Sequence, residues 1–201
     1  MIKGLTKEVQ KNRKANFDID TIFLNRWSPR SMTGEELKEN EFMPLFEAAR
    51  WAPSSYNAQQ WRFLYAKRNT KNWGIFLELL AQGNNIWAKK AGVLVVIISR
   101  KNFEHNEKPS ITHIFDAGAA WENLALEGAR RGLVVHGMEG FDYASAKKVL
   151  EIPDNFAVCA MVAIGRRGKK EDLPEDYQDM EQPNGRKPLN VIAIEGKFKG
   201  K

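Results

Sequence analysis

Arg26-Trp27-Ser28-Pro29-Arg30 sets two guanidinium groups, four positions apart, around a hydroxyl. Guanidinium is the side chain best shaped for paired hydrogen bonds to phosphate oxygens, so this segment suits an anion. Further along, Ala52-Pro53-Ser54-Ser55-Tyr56-Asn57-Ala58-Gln59-Gln60-Trp61 strings together small polar side chains, amides and a closing aromatic. A ligand that is both anionic and a flat heterocycle would use both segments, and a bound mononucleotide has that chemistry.

The other reactive side chains build nothing comparable. His105, His113 and His136 are too scattered for a catalytic triad or a metal cluster, and the single cysteine, Cys159, has no histidine near it in sequence. No general acid, general base or metal ligand is therefore assigned. Lying inside the apolar run 156–164, Cys159 reads as a buried small hydrophobe, and one cysteine excludes both an internal disulfide and a cysteine-type zinc site.

Charge points the same way. The net charge of +6 and pI near 9.4 are spread along the chain, apart from short basic runs at 166–170 and 197–201. Nothing resembles a zinc finger, an RNA-binding aromatic pair or a helix-turn-helix, so no nucleic-acid partner is expected. The opening residues lack the apolar run of a secretory signal, and the longest apolar stretch, 93–98, is far too short to cross a bilayer. A soluble, cytoplasmic protein with no membrane partner is the expectation.

The elements that must position these residues can be read from periodicity and punctuation. A helix is predicted over 5–13, another starting at the Thr33-Gly34-Glu35-Glu36 capping box, and a third with Pro44 in its first turn, running to Trp51 and stopped by Pro53. A strand follows over 61–66 and a helix over 73–81, ended by Asn84 and Asn85. The β-branched run 93–98 reads as a strand covered on both faces. Ala117, Trp121, Leu124, Ala125 and Gly128 recur at helical spacing, with Asp116 to cap the start and Gly132 to stop the end. A short strand at 133–136, a tight loop at 137–140, a short helix capped by Asp142 and ending at Leu150, and a last core strand at 156–164 complete the pattern. Beyond Gly165 the composition turns charged, with Pro and Gly, which predicts a long surface arm. Strands and helices mix without regular alternation, so an α+β layered fold in a single domain over 1–201 is expected. Neither the dinucleotide glycine fingerprint nor a phosphate-binding Gly-x-x-x-x-Gly-Lys-Ser/Thr loop occurs, so the nucleotide site must be of another kind.

Six segments in register carry a resemblance. They are Arg26 to Arg30, Ala52 to Trp61, the 116–132 helix with its Gly132-Leu133 exit, Gly137-Met138-Glu139-Gly140-Phe141-Asp142, Ala163-Ile164-Gly165, and Arg186-Lys187-Pro188-Leu189. Together they resemble the FMN-dependent nitroreductase family across 22–192. The resemblance implies a mixed sheet flanked by helices in an interlocked homodimer; residues 1–24 form an N-terminal helical extension that matches none of these motifs, and the arm at 166–201 is expected to pack on the partner subunit. It implies FMN held at the subunit interface and NAD(P)H-driven, ping-pong reduction of nitroaromatics, quinones or related electron-poor acceptors. No motif chooses NADH over NADPH. A specialised flavin-dependent oxidase or dehalogenase, or a non-catalytic flavin-binding regulatory dimer, stays open on the same scaffold.

By the same resemblance, Arg26, Trp27, Ser28 and Arg30 approach the phosphate, ribityl chain and pyrimidine edge, and Arg186 is a second phosphate contact. Pro53, Ser54, Ser55, Asn57 and Gln59 form a loop reaching the flavin from the neighbouring subunit, although Gln60 stands where the family has proline. Gly137 to Gly140, with Met138 among the cofactor-binding residues, form the loop whose backbone amides at Glu139 and Gly140 face the hydride-accepting nitrogen. Tyr56 and His113 are the expected acceptor-pocket residues, and Asn84 or Asn85 supplies an amide to the flavin's outer edge.

Overall fold

The structure, a computed structural model, describes residues 4–198. Four strands form one sheet in the order β1-β2-β4-β3: β1 Trp61–Lys67, β2 Val93–Arg100, β3 Leu133–Met138 and β4 Phe156–Arg166. All three pairings are antiparallel, so the parallel pairing that a mixed sheet requires does not occur among the described residues. Along β2, alternate residues serve two cores. Leu94, Val96 and Ile98 pack with Phe76, Trp87 and Phe141 on one face, while Val93, Val95 and Ile97 pack with Phe42, Leu45 and Leu124 on the other. The continuous apolar run in the sequence is this double burial, as expected.

Nine α-helices accompany the sheet among the described residues: α1 Lys7–Gln10, α2 Ile22–Asn25, α3 Glu39–Arg50, α4 Trp73–Glu78, α5 Gln82–Ala88, α6 His113–Arg130, α7 Tyr143–Val149, α8 Glu175–Gln178 and α9 Leu189–Ile192. Helix α6 lies on the sheet through Asp116, Ala120, Leu124 and Gly128, with Ala117 and Ala125 beside them. These side chains are mostly small, so the helix axis comes close to the strands. Gly132 ends it at φ 75°, a left-handed stop as expected.

Several boundaries differ from expectation, each for a local reason. No helix starts at Thr33: its hydroxyl accepts the Glu35 N–H at 3.2 Å, Gly34 is left-handed at φ 83°, and the Thr33 N–H is drawn to the Arg166 carbonyl at 3.1 Å. The helix begins instead at Glu39, where the Glu41 carboxylate accepts the Lys38 N–H at 2.9 Å, and Pro44 sits inside it rather than in its first turn. Asn84 and Asn85 lie within α5, because their amides are engaged elsewhere, Asn84 with the Gly140 carbonyl at 3.0 Å and Asn85 with that of Leu77 at 3.1 Å. The opening helix is a single turn capped by Thr6, and α2, not foreseen, delivers the chain into Arg26.

The first part of the segment after β4 packs on the chain's own core. Leu173 enters the core and Glu181 is buried, and only from residue 184 is the chain continuously exposed. Residues 1–3 and 199–201, which the N-terminal extension and the C-terminal basic run include, lie outside the described residues.

Candidate functional site

The Arg26 to Arg30 segment is an extended strap with a fixed backbone. Glu181, reaching from the far end of the chain, accepts the Arg30 N–H at 2.9 and 3.1 Å and the Ser31 N–H at 2.9 Å, and it also pairs with the Arg167 guanidinium. His136 on β3 is hydrogen-bonded through Nδ1 to the Pro29 carbonyl at 2.8 Å, its ring 4.5 Å from that of Trp87. Burial, the largest influence, pushes the His136 imidazole below its ordinary pKa, and the Arg30 charge adds to this. A neutral His136 whose Nδ1–H donates to Pro29 is the consistent state. Trp27 turns its ring under the Arg167 guanidinium, 5.1 Å away, and so steadies the strap from behind.

Beside the strap lies a cleft of about 680 Å³ between α6 and the ends of β3 and β4. Arg26 and Ser28 line one end, Gly137, Met138 and Glu139 another, and Ala117, Gly118 and Trp121 a wall. The Arg26 Nη1 donates to Ser28 Oγ at 3.4 Å, and its Nε stands 3.8 Å from the Glu122 carboxylate. The Glu139 and Gly140 N–H groups donate to no other described residue, and of the two residues Glu139 lines the cleft. The Gly140 carbonyl is occupied by the Ala81 N–H at 3.1 Å and the Asn84 amide, which fixes this turn and assigns Asn84 to it.

The loop 53–60 is strained and tethered. Tyr56, Asn57 and Gln59 all hold left-handed backbone, at φ 52°, 53° and 49°, a conformation that costs non-glycine residues free energy and gathers at functional sites. The Ser55 N–H donates to Asp116 at 3.1 Å, and the Gln59 N–H to Ser54 Oγ at 3.0 Å. Asp116, expected as a helix cap, is a buried anchor for this loop inside the first turn of α6, which starts three residues earlier at His113. Pro53, Ser54, Ser55, Asn57 and Gln59 do not line the cleft of their own protomer. Tyr56 is 87% exposed, its ring edge-on to Phe103 at 5.7 Å. His113 also stays off the cleft lining: its Nδ1 lies 2.7 Å from Ser99 Oγ, which lies 3.1 Å from Cys159 Sγ. Cys159, expected as an inert core residue, is half-buried and does line the cleft, with burial holding its thiol above the ordinary pKa.

Arg186 stands outside this cleft, on a second concavity of about 1260 Å³ between the N-terminal segment and the chain end. Arg13, which no sequence pattern singled out, connects the two. Burial first, then the Arg186 and Arg26 charges, lower its pKa to about 10. The structure thus joins Arg26, Ser28, Met138 and Glu139 directly, brings Arg186 towards them through Arg13, and holds loop 53–60 apart. Arg13, Glu181, His136 and Asp116 act from a distance along the chain, and only Asp116 carried a sequence signal, that of a cap.

A model of the nitroreductase family matches residues 24–166, and the chain belongs to that family. It is 27% identical over 199 residues to Protein DrgA of a Synechocystis species, covering 86% of this chain and 93% of that one. A solved structure described as an oxidoreductase containing FMN superposes with a TM-score of 0.90 at 44% identity, over 94% of this chain and 97% of that chain. The fold also matches a nitroreductase family protein from Streptococcus pneumoniae, with a TM-score of 0.70 at 19% identity over 87% and 98% of the two chains. The protein is thus an oxidoreductase of the nitroreductase family, and no helix among its described residues is long and apolar enough to cross a membrane.

Proposed function

We propose that this chain binds FMN and reduces nitroaromatics, quinones or related electron-poor acceptors with electrons from NADH or NADPH, working as a homodimer with a site at each subunit interface. The observation that carries the reading is the crowding of Arg13 and Arg186, on one concavity, towards Arg26, which lines a second cleft walled by small residues. Arg13 and Arg186 engage only uncharged oxygens and Arg26 has a single carboxylate, that of Glu122 at 3.8 Å, so positive charge is in excess here and a phosphate would balance it. Small walls, at Ala117 and Gly118, leave room for a flat ring.

The chemistry supplied by bound FMN is two-electron transfer from a nicotinamide to an acceptor in ping-pong order. The protein's residues bind and orient. Arg26, Ser28 and Arg186 would hold the phosphate and ribityl end, Arg30 would serve the pyrimidine edge, and Trp27 steadies the strap against Arg167. Met138 would pack against the ring, and the N–H groups of Glu139 and Gly140, which have no acceptor among the described residues, would favour negative charge on it. Pro53, Ser54, Ser55, Asn57 and Gln59 serve the partner's site rather than their own, which accords with their distance from the protomer's cleft. Tyr56 and His113 then limit which acceptors enter. The exposed apolar residues Ile111, Ile114 and Phe115 are suited to a subunit interface.

The visible spectrum of the purified protein tests this. Flavin absorption bands, bleached anaerobically by a nicotinamide and restored by a quinone or nitroaromatic, are expected. Protein that neither carries nor takes up FMN would falsify the reading. Tight FMN untouched by either nicotinamide would favour a regulatory dimer, and halide release or oxygen consumption as the main reaction would favour a specialised dehalogenase or oxidase.

A further inference from the structure

We propose that Arg13, in the segment preceding the family match, is a positioning residue that clasps the strap carrying Arg26 to the chain end carrying Arg186, and so assembles the phosphate end of the site. The inference rests on the FMN reading above.

The clasp is drawn by four contacts. Arg13 Nη1 donates to the Leu24 and Arg26 carbonyls, each at 2.7 Å, where helix α2 ends. Its Nε donates to the Asn184 carbonyl at 2.8 Å, and its Nη2 lies 3.4 Å from Asn184 Oδ1. That same Oδ1 accepts from Arg186 Nη1 at 3.1 Å, so one amide oxygen serves both guanidiniums. Two stretches of chain more than a hundred residues apart are thereby tied through one planar group. Only arginine presents several donors in a rigid fork, and lysine's single ammonium cannot span the same set.

The clasp also leaves charge available. Every oxygen that Arg13 engages belongs to an uncharged carbonyl or amide, so its positive charge is not cancelled there. Arg26 and Arg186 both raise the electrostatic cost of that charge, which supports an arrangement completed by an anion. Arg13 and Arg186 both lie outside residues 24–166, so this end of the site adds the two terminal segments to the Arg26 strap of the matched region. A residue with this role should matter for a flavin with a phosphate and not for one without.

The test titrates FMN and riboflavin, which lacks the phosphate, into the wild type and into Arg13→Met, Arg13→Lys and Asn184→Ala, following flavin fluorescence. Arg13→Met is expected to lose about tenfold in FMN affinity, the equivalent of one charge-assisted contact, with riboflavin affinity unchanged. Arg13→Lys should recover part of the loss. Asn184→Ala, at an exposed position, should show a smaller loss with the same FMN selectivity even where Arg13→Met fails to fold. Equal loss of both flavins, or no loss of either, overturns the inference while leaving the FMN reading intact. A wild type that binds neither flavin overturns the reading and the inference with it.

Discussion

His136 shows how a single residue far from the motif controls it. Its Nδ1–H holds the Pro29 carbonyl in the middle of the Arg26 to Arg30 strap, and it can donate there while the ring stays neutral. Burial and the nearby Arg30 charge both favour that neutral state, so the folded pKa lies below the ordinary value of 6.5. The sign follows directly. Above the unfolded pKa both states are neutral and the contribution is fully present; as pH falls the unfolded chain takes up its proton first, and stability declines until the folded pKa is passed. Urea midpoints measured between about pH 7 and pH 5 should therefore fall with pH. His136→Asn should flatten that slope without abolishing it, because burial lowers the His113 pKa in the same direction. A slope unchanged in the variant would mean that the strap is held by other groups.

Among the elements, α6 decides where everything else sits. Its Gly128 faces Val135 of β3 so closely that an added Cβ would overlap the Val135 side chain and come within 3.3 Å of Leu45 on α3. Gly128→Ala gains about 1 kcal/mol in helix propensity but overpacks a contact between three elements, typically a cost of about 1–3 kcal/mol. A net loss of about 1 kcal/mol in denaturant unfolding is expected, and a variant as stable as the wild type would show that α6 can lift off the sheet. Helix α6, β2 and β4 were legible in the sequence because burial imposes a period that composition records. What misled was chemistry with two local outcomes. The Thr33 to Glu36 pattern fits a helix cap and also a turn, and pairing with Arg166 chose the turn. Asn84 and Asn85 break helices when their amides seek the local backbone, yet here those amides are used on Gly140 and Leu77. In the site, Arg26 to Arg30 could be read because the contacts lie within one short motif. Glu181 could not, since the strap groups it holds are backbone N–H groups 150 and 151 residues away, and a backbone donor leaves no mark on the residue type.

At the scale of the molecule, the chain end divides into two parts with different jobs. As far as Pro183 it belongs to its own protomer, with Leu173 in the core and Glu181 clamping the strap. From residue 184 it exposes Leu189, Val191, Ile192 and Ile194, and the opposite terminal segment exposes Phe17, Ile19 and Phe23. Apolar surface on this scale is unfavourable in water at roughly 25 cal/mol per Å², which favours covering it with another protomer. A chain ending at Pro183 therefore separates the two jobs. It keeps the core and the Glu181 clamp but loses the exposed apolar arm, Arg186 and the Asn184 anchor of Arg13, so it should unfold at a modestly lower denaturant concentration than the full chain, sediment as a monomer, and bind FMN weakly. Sedimentation equilibrium on both chains, with and without FMN, measures this. If the shortened chain still sediments as a dimer, the partner contact lies elsewhere, and the exposed faces of α6 and loop 53–60 become the surface that joins the subunits.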